Sequence, residues 1–164
     1  RSWKKDFSMP KFKDLDLLLA YLQKNTAQAL AKSAEVERIM AEVMVQAVVD
    51  VVYGSYTPTQ YERRMDDGGL SDPRNMGITD FGVNSNGDVF ITFENLTEGE
   101  DSLQGKYITD TIVEGKKENW NNPNGEWSEP RDFIAETAKR LRENPSELIE
   151  AFKNGLKAKG MQVR

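Results

Sequence analysis

Apolar residues recur at steps of three and four through the second quarter of the chain, at Val36, Met40, Val43, Met44, Ala47, Val48 and Val51. Glu35, Arg38, Glu42, Gln46 and Asp50 recur at similar steps on the other side. This spacing predicts an amphipathic helix with a wide apolar face. The valines alone would suit a strand. The run is too long for one strand, however, and its polar stripe has the wrong period for a pleat. The pattern strengthens from Ala27 and is expected to end near Tyr53, with Gly54 as a stop and Pro58 soon after. Val45, Val49 and Val52 widen the apolar arc. Core burial is the first reading of that face, and a neighbouring subunit over part of it is the second. Ahead of this helix, Asp14 reads as the N-cap of a shorter one carrying Leu15, Leu17, Leu18, Leu19, Tyr21 and Leu22. Two or three turns are expected there, with Asn25-Thr26 either interrupting the helix or absorbed by it.

The period then changes. Phe81 and Val83 precede Ser85-Asn86-Gly87, and Val89, Ile91 and Phe93 follow. A three-residue loop pairs Val83 with Val89, Phe81 with Ile91 and Thr79 with Phe93, placing the apolar residues on one face with Gly87 free to turn left-handed. A two-residue Asn-Gly turn would pair Val83 with Phe90 and scatter the rest. Asn95 to Ser102 is acidic and reads as a surface loop. Leu103, Tyr107, Ile108, Ile112 and Val113 suggest a short helix or irregular segment ending at Gly115. Ser128-Glu129-Pro130 reads as a helix entrance, followed by the stripe Phe133, Ile134, Thr137, Ala138 and Leu141. Asn144-Pro145 interrupts it, and Ser146 is read as the cap of a last helix carrying Leu148, Ile149, Phe152 and Leu156. The fold expected is α+β: a long N-terminal helix and C-terminal helices packed on a small antiparallel sheet.

Two long connections remain, at 55–77 and 116–127. The second is polar and is anchored by Trp120 and Trp127. The first holds Tyr56-Thr57-Pro58-Thr59-Gln60-Tyr61-Glu62-Arg63-Arg64, then Gly68-Gly69-Leu70 and Asp72-Pro73-Arg74. Turn formers suffice for a connector, so tyrosine and arginine in this density point to a gripping role, as loops held by rigid elements often carry function. One reading packs the tyrosines on their own domain and pairs the arginines with Glu62, Asp66 or Asp67. The other makes the loop an interface, because Tyr and Arg are enriched at interface cores. On that reading Tyr56, Tyr61, Arg63, Arg64, Leu70 and Arg74 contact a subunit or partner.

Composition narrows the chemistry. At 164 residues, with 30% charged and 38% hydrophobic residues, the chain suits one soluble domain. Residues 1–10 read as a leader, either a vector remnant or an early translation start with Met9 the natural beginning, and 11–164 as a single domain. The net charge of -5 argues against a sequence-specific nucleic-acid binder. The absence of both Cys and His removes thiolate metal sites, the commonest general base and the commonest transition-metal ligand. No apolar run reaches the length of a membrane span. Asp66-Asp67-Gly68-Gly69 lacks calcium-loop spacing, and no phosphate-binding glycine loop with lysine occurs. No metal, cofactor or catalytic residue is therefore expected. Asn95-Leu96-Thr97 matches a glycosylation acceptor, which matters only in a secretory compartment.

Four stretches carry a family resemblance: Phe12-Lys13-Asp14-Leu15-Asp16; Tyr56 to Arg64 with Gly68-Gly69-Leu70; Glu129-Pro130-Arg131-Asp132-Phe133-Ile134; and Asn154-Gly155-Leu156-Lys157 with Gly160. In their order and spacing over residues 11–162, the chain resembles the small neck or tail-completion proteins of long-tailed bacteriophages, the minor tail components. The Lys116 to Glu126 insertion departs from that pattern. The resemblance implies a virion protein, assembled in the host cytoplasm, that forms a closed ring at the head–tail connection with itself and with neighbouring neck, connector or tail proteins. A ring of that kind leaves two places for Arg63, Arg64 and Arg74: against a partner, or inward near DNA in a channel. The other classes weighed are a small phage-encoded regulatory binding protein and a carboxylate-based hydrolase.

Overall fold

The computed structural model describes residues 14–55, 57–58, 62–99, 105–115 and 129–163. Helix α1 (Leu15–Ala31) starts where expected, with Asp14 Oδ1 accepting from Leu17 N at 2.9 Å. It runs longer than two or three turns because Asn25-Thr26 is absorbed, the Asn25 amide donating back to Tyr21 O at 2.7 Å. The run expected to continue from Ala27 instead breaks at Lys32-Ser33. Ser33 caps α2 (Ala34–Ala47), its hydroxyl accepting from Val36 N at 3.3 Å. The expected long helix is thus two, and the Ser cap with Glu35 in the first turn is the signal for the break.

After Ala47 the helix widens into a π turn over Val48–Tyr53, closed by Gly54 N donating to Val49 O at 2.8 Å. The stop at Gly54 holds for a steric reason. Its φ is -71°, but a Cβ there would lie 2.7 Å from Asp50 O. Arg140 ties this turn to helix α4 (Phe133–Glu143), reaching Asp50 at 2.9 Å and Glu136 at 2.8 Å. The Arg140 hydrogen bond is the main reason that Glu136 titrates below the usual carboxylate range.

Strands β1 (Met76–Val83) and β2 (Val89–Asn95) form the antiparallel hairpin. Val83 pairs with Val89 and Phe81 with Ile91 as expected, and Gly87 has φ +86°. The third expected pair is corrected. Phe93 faces Ile78, because a bulge between Ile78 and Asp80 leaves Thr79 extra. Side chains alternate across a strand, so the extra residue puts Ile78 and Met76 on the same face as Phe81 and Val83; that face is covered at its base and open to solvent toward the tip, where Phe81 and Val83 are exposed. Thr79 points outward instead and hydrogen-bonds Glu94.

Helix α3 (Thr109–Glu114) ends at Gly115 as expected. Helix α4 begins three residues later than Pro130 suggests, since Asp132 Oδ1 takes Ala135 N at 2.8 Å. Helix α5 spans Ser146–Lys157, with Pro145 at the cap position and Ser146 already helical. One core cluster joins α2, the π turn, Leu70, Met76, Ile112 and Phe133. A second joins Val36 and Ile39 to Ala151, with Ile78, Ile91 and Phe152 against it. The wide valine arc is mostly inside, for Val52 is buried and Val45 half-buried, whereas Val49 is exposed. The leader and the Lys116 to Glu126 connection, with Trp120 and Trp127, lie outside the described residues.

Candidate functional site

The loop from Glu62 to Asn75 is held from within. Met65 has φ +53° and Gly68 φ +76°, and Gly69 passes so close to Met65 that a Cβ would sit 2.5 Å from its carbonyl oxygen. Only glycine fits that approach. At the centre lies Asp72, 1% exposed. Its carboxylate accepts Gly68 N at 2.7 Å, Arg74 N at 2.9 Å, and the Arg74 guanidinium through Nε and Nη2, the latter at 2.7 Å. The Arg74 side-chain bonds, helped by the two backbone N–H groups and opposed by burial, hold the Asp72 carboxyl far below the usual carboxylate range. Asp72 is therefore a fixed anion that organises the loop.

The segment after β2 closes over the loop. Asn95 is buried and donates to Leu70 O at 2.8 Å, while the buried Thr97 hydroxyl reaches Asn95 Oδ1 at 2.6 Å and Gly69 O at 3.3 Å. Leu96 N donates to Asn75 O at 2.7 Å. The start of the expected Asn95 to Ser102 surface loop is thus an interior latch, and the glycosylation-like triplet supplies its buried polar groups. Residues 100–102 of that stretch lie outside the described residues.

The predicted contact residues divide. Tyr56 and Tyr61 lie outside the described residues. Arg63 stacks 4.8 Å above the Tyr53 ring and donates to Tyr53 O at 3.2 Å. Arg64 donates to Glu98 O at 2.6 Å. Leu70 is 5% exposed and belongs to the core of its own domain. Arg74 sits on the rim, its side chain 71% exposed although Asp72 grips it. The structure therefore brings Arg63, Arg64, Leu70 and Arg74 into one loop system, with Arg74 facing outward.

Beside Arg74 runs a groove of about 740 Å³ between α2 and the loop. Ala34, Ala41 and Val45 form its α2 wall, Pro73 and Met76 the other, and Arg38 and Arg74 stand on it with Glu37, Glu42 and Asp66. Arg38 is bridged to Glu42 at 2.6 Å.

A second surface was not singled out from sequence. The first two turns of α1 are apolar on nearly every side and stand in solvent, with Leu15 80% and Leu19 54% exposed, and Leu17, Tyr21 and Leu22 also exposed. Gln23 Nε2 donates to Gly87 O at the hairpin turn, at 2.6 Å. Residues 15–22 therefore reach past the hairpin tip, away from the groove at its base. The unbroken leucine run at 17–19, with no polar stripe, was the available signal. Among the described residues, no group of three or more His, Cys, Asp or Glu could hold a metal, and no helix is long and apolar enough to cross a membrane.

Comparison with known proteins gives the chain its family. The YomN family profile matches residues 14–158, so the chain belongs to the YomN family. The chain is 27% identical over 146 residues to the SPbeta prophage-derived protein YomN of Bacillus subtilis strain 168, covering 88% of this chain and 93% of the relative. No solved structure matches. The likeness to bacteriophage proteins thus stands at the level of phage origin, and the family matched is YomN rather than a neck or tail-completion family.

Proposed function

We propose that this protein is a structural component of a phage particle and works by assembling, as a ring at the neck or the head-proximal end of the tail. The observation that carries this reading is the exposed apolar amino-terminal half of α1. Monomeric proteins rarely hold contiguous apolar surface of this kind in water, and where it occurs it marks contact sites. Leu15, at 80% exposed, is the most exposed large apolar side chain among the described residues, and Leu17, Leu19, Tyr21 and Leu22 stand exposed beside it on the same two turns. A buried, anchored loop beneath Arg74 supplies a rigid second surface.

The same reading makes the chain a non-enzyme. Asp72 is held as an anion by its own neighbours, which suits scaffolding and not proton transfer. The partners are further copies and neighbouring neck, connector or tail proteins, and the location is the virion. The phage origin of its relative agrees with this. Native mass spectrometry of the full chain, with proteomics of purified particles, tests it. Closed oligomers and presence in particles are expected. A monomer at all concentrations that is absent from particles overturns it and favours a small phage-encoded regulatory protein.

A further inference from the structure

We propose that the first two turns of α1 in one copy dock in the groove between α2 and the 66–76 loop of the next, joining copies head to tail. This rests on the assembly reading and adds which two surfaces meet.

The surfaces match in shape and chemistry. Leu15, Leu19 and Leu22 follow at steps of four and three, so they form one ridge about 12 Å long. In the groove, Ala34, Ala41 and Val45 fall on one face of α2, and the two alanines let another helix approach closely. Pro73 and Met76 close the other side. A volume of about 740 Å³ suits the apolar side of a short helix.

Charges complement as well. Asp14 and Asp16 open α1. Arg74 uses Nε and Nη2 on Asp72, with Nη2 also 3.4 Å from Asp66 O and 3.6 Å from Asp67, so Nη1 is the N–H group it has left among the described residues, and Arg38 uses only Nη1 on Glu42. Both forks keep N–H groups for a carboxylate. Glu37 and Asp66 also line the groove, and Lys24 follows Asp16 two turns later on α1.

One chain cannot satisfy itself. The groove reaches Met76 at the hairpin base, and α1 passes the turn at Gly87. A strand of eight residues separates these ends, roughly 25 Å at the usual rise. Two different surfaces at opposite ends make a heterologous contact, which closes into a ring when the rotation between copies allows.

The chain has no cysteine, so introduced thiols report only on themselves. Leu19→Cys and Ala34→Cys are made in separate full-length chains, both at exposed positions. The two are mixed, treated with a short bis-maleimide, and resolved by mass, with oligomeric state followed by native mass spectrometry. The covalent product joining the two variants is expected to dominate. Oligomers that yield no such product, or chiefly a Leu19→Cys homodimer, overturn the docking and leave the assembly reading standing. Monomers alone remove both. As a second measurement, Arg38→Glu should raise the concentration needed for assembly about tenfold, and adding Asp16→Arg should restore it. A single swap without effect, or a failed rescue, counts against the pose.

Discussion

Leu70 and Leu15 carry the same side chain and sit in opposite worlds. Leu70 is 5% exposed, its carbonyl oxygen accepts the Asn95 amide, and it belongs to the main core. Leu15 is 80% exposed on a helix capped by Asp14. The groove end of the molecule is dense with buried polar bonds, while the α1 end is greasy and uncovered. Stability should therefore be concentrated at the first end and association at the second. Residue type does not separate the two roles; the number of long-range bonds around each residue does.

That contrast can be broken from its stable side first. Phe133→Ala, at a fully buried site, should cost about 3–5 kcal/mol in urea unfolding, and with it every assembly signal. Asn95→Ala leaves Leu70 O and Thr97 N without their bonds inside the protein, and about 1–3 kcal/mol is expected in the same measurement. Gly87→Ala forces a side chain to φ +86° and should cost about 1 kcal/mol, the hairpin loosening locally by hydrogen exchange. Acid sharpens the picture. The Asp72 carboxyl is depressed when folded, so its stabilisation is present above the ordinary carboxylate value and is lost as pH falls below it toward the folded value. Urea midpoints from pH 6 down to about pH 2 should fall less steeply in Asp72→Asn than in the native chain. Smallest in stability is Leu15→Ser with Leu19→Ser, expected within about 0.5 kcal/mol of the native chain. The same pair should abolish oligomers in native mass spectrometry. If it unfolds the protein instead, α1 is core and the contrast is false.

Local chemistry made parts of this fold legible in advance. Asp14 before a leucine run and Gly87 in a three-residue loop each need only neighbouring residues, and both behave as read. Ser33 carries the same kind of signal, masked by apolar spacing that continues across it. The bulge at Thr79 was hidden, since pairing to Glu94 and Phe93 is decided across the hairpin. Asn95-Leu96-Thr97 looked like surface because its composition is polar. Its bonds reach Gly69 and Leu70, more than twenty residues back, and no local reading includes them. The density of Tyr and Arg over 56–64 is plain in the sequence. The loop's arginines are divided between Tyr53, Glu98 and the acidic residues of the loop itself, for Arg74 pairs with Asp67 as well as Asp72, and of the three Arg74 combines a fixed base with an exposed fork.

The extra residue in β1 also constrains how this lineage can change length. Deleting Thr79 would straighten the ladder with Ile78 still opposite Phe93 and Met76 still opposite Asn95, whereas straightening it with Thr79 retained would turn Met76 and Ile78 to water. A single-residue gain or loss on the base side of that point reverses inside and outside wherever a bulge does not absorb it. On the tip side, between Val83 and Val89, the turn is solvent-facing and length is free to drift. Relatives that differ in hairpin length should therefore differ at the turn or by the odd residue near position 79.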